Sequence, residues 1–170
     1  MEVFDLVEEF MNAGGPILYF VAAVLFIMWT LIFERIWYFA LVYPKEARLL
    51  VAQWDARSDT TSWHAHRIRQ AWISQMSEKL NFGIGFIKTL VAVCPMIGLL
   101  GTVTGMIAVF EIMAISGTSD PRDMAAGITQ ATIPTMSGMV AALSGLFLAS
   151  RLEFTARIKS EQLADNMPHH

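Results

Sequence analysis

The chain has a single cysteine, Cys94, among 170 residues, so no internal disulfide framework is open to it and the thiol reads as structural. Charge is scarce as well. Asp, Glu, Lys and Arg make up 16% of the residues and are missing altogether from three windows: Phe10 to Phe33, Thr89 to Phe110 and Met124 to Ser150. No Lys or Arg precedes the first window, which follows Glu2, Asp5, Glu8 and Glu9. A cleaved signal peptide would begin with a basic stretch, so this first helix is expected to stay in the mature protein. No Asp, His or Lys lies deep in any window, which leaves no obvious proton-titrating group for a bilayer centre. A Gly-rich phosphate loop, a nucleophile arrangement and a nucleic-acid patch are lacking too. The chain is therefore expected to be no enzyme, to hold no cofactor and to bind no nucleic acid.

What is there is apolar. With 55% hydrophobic residues and a mean hydropathy of +0.48, the chain is too apolar for an ordinary soluble domain. About 20 residues at roughly 1.5 Å each cross a hydrocarbon core of about 30 Å, and each window is long enough to do so. Orientation follows from the basic residues. Arg35, Lys45, Arg48, Arg57, Arg67, Arg69, Lys79 and Lys88 separate the first two windows, Arg151, Arg157 and Lys159 follow the third, and only Arg122 lies between the second and third. The positive-inside rule then puts the amino terminus outside and the carboxyl terminus inside.

The expected architecture is an all-α integral membrane protein with three transmembrane helices, of which helices 2 and 3 extend into the cytoplasm. The expected segments are an extracytoplasmic amino terminus (1–14), transmembrane helix 1 (15–43), a cytoplasmic helical loop (44–85), transmembrane helix 2 (86–115), an extracytoplasmic turn (116–123), transmembrane helix 3 (124–152) and a cytoplasmic tail (153–170). Span one ends in an aromatic belt of Trp29, Trp37, Tyr38, Phe39 and Tyr43, with Glu34 and Arg35 where headgroups begin and Pro44 as punctuation. In the loop, Ala47, Leu50, Val51 and Trp54 recur at helical spacing, and Ser58 to Ser62 supplies a turn with several capping side chains. Ile68, Trp72, Met76, Leu80, Ile84 and Ile87 then keep one apolar face, which predicts that span two continues far into the cytoplasm as one long helix, although Gly83 and Gly85 weaken it. Leu152, Ala156, Lys159 and Leu163, about a turn apart, predict a matching extension of span three. Ser116 to Asp123, with Gly117 and Pro121, forces spans two and three into an antiparallel hairpin.

Spans two and three differ from the bulky, aromatic first span in being dense in small and hydroxyl residues. Gly98, Gly101 and Gly105 on one span, and Gly138, Ala142, Gly145 and Ala149 on the other, form a small-xxx-small pattern that lets backbones approach closely. The hydroxyls Thr102, Thr104, Thr129, Thr132, Thr135 and Ser137 sit with Gln130 in the same two spans. Polar side chains in a bilayer need partners or water, so these either line the bundle interior or a hydrated path, or each hydroxyl bonds back to a carbonyl of its own helix. Gln130 carries more donors and acceptors than its own helix satisfies. Pro95 and Pro134 free one carbonyl each and bend their helices, either as structural kinks or as gating elements. Glu111 lies about a turn before the end of span two and reaches either the interface or an ion path. His64 and His66, two residues apart in a polar turn, read as a solvated loop and not as metal ligands. His169 and His170 support no inference.

The run Leu99-Leu100-Gly101-Thr102-Val103 with Gly105-Met106, and the run from Gly127-Ile128 through Thr135 to Gly138-Met139-Val140-Ala141-Ala142, resemble the ExbB/TolQ/MotA proton-channel family of bacterial inner-membrane motors, ExbB most nearly. The resemblance implies a homo-pentamer around the helices of a small single-span partner of the ExbD type. An aspartate of that partner carries the proton, and Thr102 and Thr135 line the pore. It implies coupling to a TonB-like protein, or to envelope constriction in a TolQ-like role, with a non-conducting scaffold as a different class of reading. Two departures from the family pattern stand out: Gln130 where a glutamate is usual, and Ser144 where a proline is usual. Gln130 hydrogen-bonds but does not titrate, and a path of Thr129, Thr132 and Thr135 also suits sodium.

Overall fold

In a computed structural model, residues 2–117 and 121–168 are described. Among them the chain is helical: α1 (Glu2–Trp37), a five-residue π-helical turn (Tyr38–Val42), α2 (Tyr43–Asp55), α3 (Trp63–Asn81), α4 (Ile84–Ser116) and α5 (Pro121–Asp165). Three stretches, Gly14–Asp55, Trp63–Ile115 and Met124–Asp165, are long and apolar enough to cross a membrane. The chain is thus an all-helical, multi-pass membrane protein. It divides into two compact units, one of Met1–Trp29 with Lys88–Leu146, the other of Thr30–Ile87 with Phe147–His170.

The first unit holds the apolar parts of α1, α4 and α5. Its helix α1 is broken at Gly15, which adopts φ 66 and ψ −168, a left-handed, non-helical conformation that only glycine reaches without strain. Pro16 follows as the natural first residue of a new helical stretch. Val21, Cys94 and Ala141 form its buried cluster, with Val24, Leu25, Ile97 and Ala142 packed against it. Helix α4 closes on Gly117 (φ 64), whose N–H bonds the Met113 carbonyl at 3.1 Å, and α5 opens on Pro121. Residues 118–120 of the expected 116–123 turn, like His169 and His170, lie outside the described residues.

In the second unit the expected cap is present. Ser62 ends the turn with its hydroxyl accepting the His64 N–H at 3.2 Å, while Asp59 Oδ1 accepts the N–H groups of Ser62 (3.0 Å) and Thr61 (3.3 Å). Met76, Leu80, Ile84 and Ile87 are buried, as are Leu152, Ala156 and Leu163 on α5, so both apolar stripes face a core. The helical run through Trp63 to Ser116 is interrupted once, where Phe82 has ψ 131 and Gly83 turns to φ 78. The expectation of one uninterrupted helix is corrected at that point. The glycine that lowers helix propensity here is used for a left-handed turn.

Long side chains reach across this unit to the carbonyls that close α5. Tyr43 Oη donates to Lys159 O at 2.6 Å, Trp54 Nε1 to Pro168 O at 3.1 Å, and Arg69 to Met167 O (2.5 Å) and Ala164 O (2.6 Å). Trp54 and Met167 are 1% and 0% exposed, so Met167, just after α5, is part of this core. Arg35 is buried, paired with Glu34 (2.6 and 3.0 Å) and donating to Lys79 O at 3.3 Å near the end of α3. Its guanidinium lies 5.2 Å from the Tyr38 ring centre and 5.4 Å from that of Phe82, a geometry in which ring and cation attract.

Candidate functional site

The hairpin of α4 and α5 is held at backbone contact. A Cβ placed on Gly98 would stand 2.8 Å from the Pro134 carbonyl oxygen and 2.9 Å from Thr135 Cα. One on Gly138 would stand 2.6 Å from the Cys94 carbonyl oxygen. A Cβ on Gly101 would stand 2.5 Å from the Pro134 ring, and one on Gly105 would stand 2.6 Å from Ala131 Cβ. Where lipid gives no hydrophobic incentive for helices to associate, such close packing of small residues is the main source of association. The structure thus brings Gly98, Gly101, Gly105 and Gly138 to the hairpin contact, with Ala142 beside the Val21–Cys94–Ala141 cluster, whereas Gly145 packs against Met28 of α1 and Val91.

That approach selects two hydroxyls out of six. Thr135 Oγ1 donates to Gly98 O at 2.9 Å across the hairpin and also touches Thr102 Oγ1. A hydroxyl has one proton and two lone pairs, so with its own proton on Gly98 O, Thr135 accepts from Thr102. The result is a directed chain, Thr102 to Thr135 to Gly98, linking the two helices. The remaining hydroxyls follow the bland alternative. Thr104 bonds the carbonyls of Leu100 (3.0 Å) and Gly101 (3.1 Å), Thr129 bonds Ala125 O (2.9 Å), Thr132 bonds Thr129 O (2.8 Å) and Ser137 bonds Ile133 O (2.9 Å). Thr132 is exposed and is not brought to the Thr102–Thr135 pair.

Gln130 lines a cleft of about 440 Å³ with Thr104, Pro134 and the Gly14–Ile17 stretch of α1, and is itself exposed. Pro95 and Pro134 lie inside α4 and α5. Pro134 is buried against Gly101, and its missing N–H leaves the Gln130 carbonyl without the donor a helix normally supplies. Glu111 is exposed on α4, five residues before its end. Among the described residues no group of three or more His, Cys, Asp and Glu is placed to hold a metal ion. The break in α1 is what the sequence reading missed, and the consecutive Gly14-Gly15-Pro16 is the signal that would have found it.

The description of the MotA/TolQ/ExbB proton channel family matches residues 43–165, which include α2 to α5. The chain is similar to an ExbB homolog of Methanothermobacter thermautotrophicus, 35% identical over 94 residues, covering 55% of this chain and 32% of that protein. It is similar to the biopolymer transport protein exbB1 of Vibrio cholerae, 29% identical over 86 residues (50% and 38%). It is also similar to the Tol-Pal system protein TolQ of Pseudomonas aeruginosa, 33% identical over 91 residues (54% and 38%). The matched part spans between 32% and 38% of the length of these relatives.

Proposed function

The chain belongs to the MotA/TolQ/ExbB proton channel family, and from that premise we propose that it is the multi-helix, ExbB-like subunit of an inner-membrane motor driven by protons. In this reading five copies surround the helices of an ExbD-like single-span partner and energise a TonB-like protein for outer-membrane uptake, with the amino terminus outside. The observation that carries it is the Thr102–Thr135–Gly98 chain. It sets a rotatable hydroxyl pair in a hairpin whose stretches Thr89 to Phe110 and Met124 to Ser150 contain no Asp, Glu, His, Lys or Arg, so the hydroxyls offer hydrogen bonds while the partner brings the carboxylate. Protonation of that carboxylate removes its charge and lets the partner's helix turn past the threonines. Each elementary charge crossing about 100 mV releases about 2.3 kcal/mol, so a few ions per cycle suffice for a stroke. Gln130 contributes hydrogen bonds and no proton.

The test is Thr135→Val in the co-expressed complex, reconstituted in vesicles. Valine keeps the shape at the helix contact and removes the hydroxyl that bonds Gly98 O. The complex is expected to keep its native mass and lose ion flux; unchanged flux sinks the assignment. The similarity to TolQ favours a second reading, a role in envelope constriction. Detergent sensitivity and division defects on deletion, with energised uptake intact, would select it.

A further inference from the structure

The cleft beside the break in α1 has polar demands that its apolar lining conceals. Pro134, which borders it, has no N–H, so the Gln130 main-chain carbonyl loses its helical donor, and the break at Gly15 ends a helical stretch whose last carbonyls have no donor in their own helix. Gln130 lines the same space and its amide has no hydrogen-bond partner among the described residues, while the Thr104 hydroxyl is already taken by Leu100 and Gly101. In hydrocarbon each unsatisfied group of this kind costs several kcal/mol, and broken helices occur at membrane depth where they face protein or a water-filled cavity. A lipid chain seated in the cleft would bond none of them. The cleft's roughly 440 Å³ has room for on the order of ten waters at about 30 Å³ each. Its inner wall includes Gly101 and Pro134, the sequence neighbours of Thr102 and Thr135. Asp5, Glu8 and Glu111 are exposed on the helical stretches that lead to it and raise the local cation concentration.

We propose that this cleft is a water-filled inlet, within one subunit, through which the coupling cation reaches the Thr102–Thr135 pair from the end of the hairpin that carries the 117–120 connection. The inlet rests on the motor reading above. The test uses the reconstituted complex of full-length chain and small partner, with Cys94→Ala as background. One cysteine is introduced at Ala108, which lines the cleft, or at Ile107, which is exposed but does not line it. A membrane-impermeant, cationic methanethiosulfonate is added from the side of the amino terminus. Only a hydrated thiol ionises and reacts, so Ala108→Cys is expected to react at least about tenfold faster than Ile107→Cys, and labelling it is expected to stop ion flux. Equal silence of both thiols, as a lipid-filled cleft would give, overturns the inlet. So does fast labelling that leaves flux unchanged. A complex with no flux before labelling overturns the motor reading and the inlet with it, whereas the two labelling outcomes overturn the inlet alone.

Discussion

Replacing Gly138 by alanine tests whether the hairpin is held by backbone contact. The new Cβ would sit 2.6 Å from the Cys94 carbonyl oxygen and 3.3 Å from Gly98 Cα, whereas carbon and carbonyl oxygen rest at about 3.3–3.6 Å. The helices must therefore part by roughly 0.7 Å, and the obstacle is main chain, with no rotamer to swing aside. Overpacking of this kind costs about 1–3 kcal/mol, offset by the ~1 kcal/mol that alanine gains over glycine inside a helix. A blocked backbone belongs at the upper end of that range, so the net loss is expected to be about 2 kcal/mol. Gly85→Ala is the control. It lies in α4, and nothing stands within 4 Å of its Cβ position, so it is expected to be about 0.5–1 kcal/mol more stable than the unsubstituted protein. The two variants should then differ by about 3 kcal/mol, or about a hundredfold in the unfolding constant, measured by reversible denaturation in mixed micelles. If Gly138→Ala proves as stable as Gly85→Ala, the two helices are not packed at this point and the Thr102–Thr135 chain loses its support.

Two further outcomes follow from the second unit. Trp54→Phe keeps the buried ring but removes the donor to Pro168 O, so stability should fall by about 1 kcal/mol in the same denaturation; an unchanged midpoint would show that this bond does not support the unit. Arg157→Ala breaks an i,i+4 pair with Glu161 at 3.1 Å whose side chains are 80% and 63% exposed, so its effect should stay below about 0.5 kcal/mol. A larger loss in the same titration would mean that this surface is covered in the assembled complex.

Much of the site was legible because its signals are compositional. Gly98, Gly101, Gly105 and Gly138 announce close approach wherever they fall on a membrane helix, and the structure puts each against the facing helix. The hydroxyls were less legible. Thr102, Thr104, Thr129, Thr132 and Thr135 are chemically alike, and a hydroxyl within reach of its own helix satisfies itself there unless a neighbouring backbone comes closer. The break at Gly15 went unread because Gly14-Gly15-Pro16 stands inside a charge-free window, where span length alone does not reveal a turn. The stop at Gly83 was read only as weakened helix, since low propensity does not say whether a glycine is tolerated or turned.

By itself the sequence determined the three spans, the hairpin and the helical character of the polar loop, because absence of charge, small-residue spacing and capping side chains act over a few residues and need no partner. Tertiary structure alone decided that Thr135 bonds Gly98 and Thr102 across the hairpin while Thr132 turns back on its own helix. It also decided that Arg35 reaches the Lys79 carbonyl and that two prolines far apart in sequence, Pro16 and Pro134, border one cleft. These outcomes depend on distances of a few tenths of an ångström between segments that the chain brings together only by folding.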